Sequence, residues 1–267
     1  MTGGQRWSWS AADGSFSAVP TAARVDVIDS WLVTEGRVVS LDAHLDRFTT
    51  ACSALFSVPK ERTSAFLRAA LPRIPAAGRW FPRVELTIAD GEPGFHLWLR
   101  PAPPRGATVR VWAYDGPDRR LHPSVKGPDL DWLGDVRSAA LHRGADEAII
   151  LSGDGKLIEG TTTSLLWWRD NTLCAPDPGR LDLLPSITRM NVLEIAAASR
   201  VRVAFECPRP QDLDGLETWA VNALHGIRPV REWAGSTVVA GPAPRARSWQ
   251  ARLDALASYR DQEPAIR

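Results

Sequence analysis

Lysine is scarce in this chain: three of its 32 basic residues are lysine, leaving 29 arginines. Arginine serves wherever only a surface charge is wanted, but a guanidinium stays protonated at working pH and cannot become the neutral primary amine that attacks a carbonyl. Lys126, in His122-Pro-Ser-Val-Lys-Gly-Pro128, is therefore a candidate for carbonyl chemistry. Downstream, Glu159-Gly-Thr-Thr-Thr-Ser164 offers a carboxylate. Ser186, Ile187 and Thr188 lie where a helix begins, with backbone N–H groups and a dipole that favour an anion. Lys60, in Pro-Lys-Glu-Arg, and Lys156, in a turn, read as solvated charges. Other common chemistries are missing from the sequence. There is no Gly-x-Ser-x-Gly elbow, no His-Glu-x-x-His and no Cys-x-x-Cys, and Gly153-Asp-Gly-Lys156 lacks the spacing and the hydroxyl of a phosphate-binding loop.

The elements that must position these residues follow from periodicity and turn chemistry. Residues 24–33 alternate as a strand and turn at Glu35-Gly36-Arg37 into Val38-Val39. Leu41, Leu45, Phe48, Cys52 and Leu55 recur at helical steps, which predicts a helix ending near Pro59 whose other side carries His44 and Arg47. A second helix is expected over 59–71, and strands over 80–88 and 94–100 flank the Asp90-Gly91-Glu92-Pro93 turn. Pro101-Ala-Pro-Pro-Arg-Gly106 is the sharpest change of composition and is read as a stiff linker. The expected organisation is a small N-terminal α+β domain over 1–100, that linker over 101–106, and a larger domain over 107–267. In the larger domain a strand is expected over 108–113, a helix over 131–143, a hairpin joining 148–151 to 156–160, and strands over 165–168 and 216–221. A helix opens at Leu184-Pro-Ser-Ile-Thr-Arg189, and a last helix covers about 248–259.

Composition narrows the class. With 44% hydrophobic and 24% charged residues and a formal net charge of +1, the chain reads as soluble and globular, without the basic surface that a nucleic-acid partner requires. No apolar stretch reaches the length of a membrane span and no signal pattern opens the sequence, so a cytoplasmic location is expected. The three cysteines, Cys52, Cys174 and Cys207, suit reduced, buried thiols, and the twelve tryptophans suit core or pocket walls.

Six segments in order carry a resemblance. They are Leu41-Asp-Ala-His44-Leu-Asp-Arg47-Phe, Val125-Lys126-Gly, Gly144-Ala-Asp-Glu-Ala148, Asp154-Gly155 through Glu159-Gly-Thr-Thr-Thr-Ser-Leu165, Leu184-Pro-Ser-Ile-Thr-Arg189, and Asn222-Ala-Leu-His-Gly-Ile-Arg-Pro-Val230. Together they resemble the class IV aminotransferases, the fold-type IV enzymes that use pyridoxal 5'-phosphate. That family includes branched-chain and D-amino acid aminotransferases and aminodeoxychorismate lyase. The resemblance implies a two-domain α+β and α/β fold with a pseudo-barrel core in the larger domain, the cofactor in the interdomain cleft, and a homodimer. It implies that Lys126 holds the cofactor as a Schiff base and then acts as the base, and that Glu159 keeps the pyridine nitrogen protonated. It further implies that Ser186, Ile187, Thr188 and Arg47 bind the phosphate, with Asn222 and Ala223 on a second phosphate or substrate loop. Trp31, Arg83, Thr162 and Thr163 are candidates for contacting substrate. His44, His122 and His225 are read as structural residues.

Departures from the family pattern bear on the substrate. Asp131 stands where branched-chain members have a tyrosine soon after the lysine, and Ser186 where glycine is usual. Asp26-Val-Ile-Asp-Ser-Trp31 replaces a glycine-rich stretch containing Phe-Glu, and Asn222-Ala-Leu with Arg228-Pro-Val is closer to the lyase branch. The expected activity is amino transfer between an amino acid and a 2-oxo acid. The alternative is elimination of pyruvate to give 4-aminobenzoate, and a third reading is a non-catalytic scaffold of the same fold.

Overall fold

The structure is a computed structural model that describes residues 4–20 and 24–259. Its described residues divide into two compact units. One holds those up to Pro104, with Val125–Pro128 and those from Leu256 on, and the other holds Arg105–Ser124 and Asp129–Ala255.

In the first unit β1 (Gln5–Trp9), β2 (Phe16–Ala18), β3 (Val27–Ser30), β4 (Val33–Thr34) and β5 (Arg37–Val39) precede α1 (Leu41–Phe56) and α2 (Lys60–Ala70). β6 (Arg79–Trp80), β7 (Arg83–Ala89) and β8 (Glu92–Leu99) follow. Five strands form one sheet in the order β2-β1-β8-β7-β3, and β6, β4, β5 and the late strand Ala257–Tyr259 form another. The period of two in β7 and β8 sets Val84 opposite Leu97 and Leu86 opposite Phe95. These four side chains join Phe48 and Cys52 of α1 and Phe66 of α2 in one buried core, where the Phe66 ring stacks on Phe95 with centroids 4.9 Å apart.

Three local expectations shift. The strand expected over 24–33 is interrupted at Trp31-Leu32, where the chain leaves one sheet for the other. The β7–β8 turn is reduced to Asp90 and Gly91, both at positive φ (52° and 82°), which is the geometry that matches the twist of paired strands. The last helix stops at Ala255, and Ala257–Tyr259 instead pairs with β5.

The Lys126 segment belongs to this first unit. The Ile28 N–H of β3 donates to the Lys126 carbonyl at 2.8 Å. Gly127 follows at φ 146°, where a Cβ would lie 2.5 Å from the Asp26 carbonyl oxygen and 2.7 Å from the Val27 Cα. Only glycine permits so close a backbone approach.

In the second unit β9 (Val109–Ala113), α3 (Leu130–His142), β10 (Glu147–Leu151), β11 (Leu157–Gly160), β12 (Ser164–Arg169) and β13 (Thr172–Pro176) are followed by α4 (Ile187–Ala198), β14 (Arg202–Glu206), β15 (Thr218–Asn222), β16 (Gly226–Trp233) and α5 (Ala246–Ala255). The strands form one eight-stranded sheet in the order β11-β10-β9-β16-β15-β12-β13-β14. β11, at one edge, packs on β12 and β13, and its Leu157 N–H donates to the Pro208 carbonyl just beyond β14 at 2.8 Å, so the sheet curls back on itself. The fully buried residues Val109, Val111, Ile149, Leu165, Trp167 and Ala220 form the core of this curl. Cys52 and Cys174 are buried and Cys207 half-buried, and all three are free thiols. No helix among the described residues is long and apolar enough to cross a membrane.

The Gly127 geometry generates a prediction. Gly127→Ala should lower the stability to urea by about 2 kcal/mol, because the added methyl must displace backbone and the position lies outside the usual range for an L-residue. Unchanged stability would contradict the close approach of Lys126 to β3.

Candidate active site

In the first unit Arg47 and His44 converge on Asp29, which is fully buried near the end of β3. His44 Nδ1 lies 2.7 Å from Asp29 Oδ1. Arg47 donates through Nε to Oδ2 at 2.8 Å and through its second terminal nitrogen to Oδ1 at 3.0 Å. Burial alone would raise the Asp29 pKa. The adjacent guanidinium and imidazole outweigh it and hold the carboxyl far below the usual carboxylate range. Helical spacing places His44 and Arg47 one turn apart on α1. His44 is buried rather than solvated because Asp29 supplies the partner that makes its burial affordable. Trp31 is also buried in this unit's core, its ring 5.9 Å from that of His44. Arg83 donates from Nε to Glu85 at 2.6 Å and lies over the Trp98 ring. Glu85 is shared with Arg6, whose Nε donates to it at 2.7 Å.

In the second unit Glu159 sits near the end of β11, its side chain only 7% exposed. Arg120 makes a short charged hydrogen bond to Glu159 Oε1, and the Leu184 N–H donates to the same oxygen at 3.1 Å. Arg120 also clasps Asp118, with one contact at 2.8 Å. Asp129 holds the loop bearing Arg120 by accepting from the Leu121 and His122 amides, each at 2.9 Å. Burial pushes the Glu159 carboxyl up to about 7, against the opposing pull of Arg120, the Leu184 amide and Arg189. Burial works against the Arg120 charge, but the Asp118 hydrogen bond and the charges of Glu159 and Asp118 outweigh it and raise the Arg120 pKa. Both values rise, which favours the neutral form of Glu159, where desolvation outweighs its donors, and the charged form of Arg120, where two carboxylates outweigh desolvation.

Leu184 leads directly into α4. Ser186 caps that helix, its Oγ accepting from the Arg189 N–H at 3.3 Å. Ser186, Ile187 and Thr188 are all buried at this helix start. Thr161 and Thr162 both donate to the buried Glu147 carboxylate, and Asn222 donates to the Thr162 carbonyl at 3.2 Å while accepting from the His225 N–H at 2.8 Å. Glu159, the α4 start, the Thr161–Thr163 loop and the Asn222-Ala223 turn are thus linked within one unit. Lys126, Arg47, Trp31 and Arg83 lie in the other.

The family profile for amino-transferase class IV matches residues 26–233, a span that holds the Asp29 cluster, Lys126, the Glu159 loop, the α4 start and the Asn222 turn. The chain belongs to the class IV aminotransferases. Its fold resembles that of a hypothetical aminotransferase from Mycobacterium tuberculosis, with 22% identity, 95% of this chain and 98% of that one covered, and a TM-score of 0.79. It also resembles a branched-chain aminotransferase from the archaeon Thermoproteus uzoniensis (17% identity, 94% of each chain, TM-score 0.79) and a fold IV transaminase from Curtobacterium pusillum (19% identity, 94% of this chain and 98% of that one, TM-score 0.73). At these identities the likeness is one of fold. No curated protein matches the sequence.

Three acids and one arginine of this class IV aminotransferase escape a reading of the sequence. Asp29 lies in the strand-like Asp26-Val-Ile-Asp-Ser-Trp31, where nothing in the pattern marks it as the partner of Arg47 and His44. Glu147 lies within a quoted family segment, but nothing in its spacing shows that it anchors two threonines. Asp129 and Arg120 sit in a Pro/Gly-rich loop without periodicity, and one arginine among 29 gives no signal of its own.

Asp29→Asn should cost about 3 kcal/mol in urea unfolding at pH 7, since it leaves Arg47 and His44 around a neutral group. A carboxyl whose folded pKa is depressed stabilises above its unfolded value, near 4, and that stabilisation is lost as pH falls below it. The difference between wild type and variant should therefore shrink below about pH 4. A difference independent of pH would contradict the ionised cluster.

Proposed function

We propose that this protein is a pyridoxal-phosphate aminotransferase that moves an amino group between an amino acid and a 2-oxo acid, with Lys126 as its covalent anchor. The reading is carried by the Glu159 carboxyl, which is buried, titrates near neutrality and is hydrogen-bonded to the segment leading into α4. The donor set suits the cofactor. The Ile187 and Thr188 amides are among those a helix start leaves without an intrahelical acceptor. Thr163 Oγ1 and a terminal nitrogen of Arg189 are buried without a hydrogen-bond partner among the described residues. The hypothetical aminotransferase from Mycobacterium tuberculosis has a PLP-bound form and a form with alpha-ketoglutarate and PMP, which supports the same cofactor here.

When bound, pyridoxal phosphate supplies a carbonyl carbon that accepts amines and a ring that withdraws electrons from the substrate Cα. Lys126, as a neutral amine, would hold the cofactor at that carbon and, when free, would serve as the base for the substrate Cα proton. Glu159, ionised, would accept the pyridine N–H. Arg120 and Arg189 favour that ionised form, and the Leu184 amide orients it. The α4 start and the Thr188 hydroxyl would hold the phosphate, with Arg47 fixed by Asp29 as its cationic partner. Asn222 and Ala223, braced through Thr162, would face phosphate or substrate.

The purified protein should absorb in the visible range, and borohydride reduction should leave a phosphopyridoxyl mass on Lys126. A label on any other residue would overturn the assignment. Release of 4-aminobenzoate and pyruvate from aminodeoxychorismate without a 2-oxo acid would replace amino transfer with the lyase reaction. Arg120→Ala removes a charge that lowers the Glu159 pKa, so the acid limb of kcat/KM should move up by roughly one pH unit. An unshifted limb would show that Glu159 does not set it.

A further inference from the structure

A cavity of about 470 Å³ opens in the second unit among the end of β12, the C-terminal end of α4, the start of β14, and α5. Its volume is in the range of small-molecule sites. Trp168, Trp249, Arg200, Arg202, Arg245 and Arg252 line it, and none of its lining residues is acidic. That is a local excess in a chain whose 32 basic residues are balanced by 31 acidic ones. No residue assigned to the candidate active site lines it.

Arg200 and Arg202 are exposed, and Arg245 and Arg252 are held in place by neighbours. Arg245 lies over the Trp168 ring at 4.6 Å, with one terminal nitrogen 3.0 Å from Glu217 and the other donating to the Asp170 carbonyl at 3.1 Å. Arg252 lies over the Trp249 ring at 5.5 Å and donates to Ser199 Oγ at 2.8 Å. The two indoles meet edge to face at 5.2 Å. A guanidinium attracted to an indole face keeps the N–H groups that are not already donating for an anion, and its planar fork suits phosphoryl oxygens. Two compensating charges are present. Glu217 takes Arg245, and the C-terminal end of α4 contributes about half a negative charge. Four guanidiniums exceed both. Independently, the Trp168 Nε1 is buried without an acceptor among the described residues, in a residue that is 5% exposed and borders the cavity.

We infer that this cavity is a second binding site, for a small phosphorylated molecule whose phosphoryl group meets Arg200, Arg202 and Arg252 while its body fills the remaining volume. The site stands on its own residues and does not depend on the reaction proposed above.

The test is calorimetric titration of the full-length protein, saturated with pyridoxal phosphate and freed of excess by gel filtration, with AMP, adenosine and inorganic phosphate as probes. AMP should bind, more tightly than inorganic phosphate and at least tenfold more tightly than adenosine. The R202E/R252E double variant should lose at least tenfold in AMP affinity with its turnover unchanged. Should that variant fold poorly, as read by its Tm, Arg202→Ala alone should weaken AMP about threefold. Adenosine binding as well as AMP, AMP binding equally to wild type and variant, or no binding of AMP would each overturn the assignment.

Discussion

A carboxyl group removed from water is the constraint on which the second unit turns. Glu159 cannot be buried as an anion without donors around it, and a single guanidinium does not fully offset the loss of hydration. The chain supplies Arg120 on one side, the Leu184 amide on another and Arg189 nearby, and the carboxyl still titrates near neutrality. Such a group gains from a further positive donor. The same hydrogen bond that steadies Glu159 also fixes the entry into α4, so the acid and the helix start are placed by one contact.

The first unit solves a similar problem differently. Asp29 is buried more completely, but Arg47 and His44 both face it, and it remains ionised. The result is a fixed cluster rather than a poised one. It orients an arginine, whereas Glu159 is left able to respond to what approaches it. Glu147 is a third buried acid, held by two threonine hydroxyls, and its role is to shape the Thr161–Thr163 loop. Each acid is buried with the partners that determine whether it is structural or responsive.

Much of this could be read from residue order. The period of α1, the β10–β11 hairpin, the capped start of α4 and the scarcity of lysine are local signals, and local physics decides them. The class IV motifs then named the family, with its fold. What stayed hidden is non-local. Asp29 meets Arg47 only after a strand and a helix have packed, and Arg120 reaches Glu159 across a loop that has no period. The switch of sheets at Trp31-Leu32 and the terminal strand Ala257–Tyr259 depend on partners distant in sequence, which no window of residues contains. The Arg/Trp cavity is assembled the same way, from four separate elements whose arginines look ordinary one at a time.

The central claim is that Glu159 is a carboxyl poised near neutrality by burial against Arg120. Its titration can be followed directly by carbon NMR of protein labelled at glutamate side-chain carboxyls, with the Glu159→Gln variant identifying the resonance. The account predicts an inflection near pH 7 in cofactor-free protein, moving to lower pH when pyridoxal phosphate is bound. An inflection at the ordinary glutamate value, unmoved by the cofactor, would contradict it.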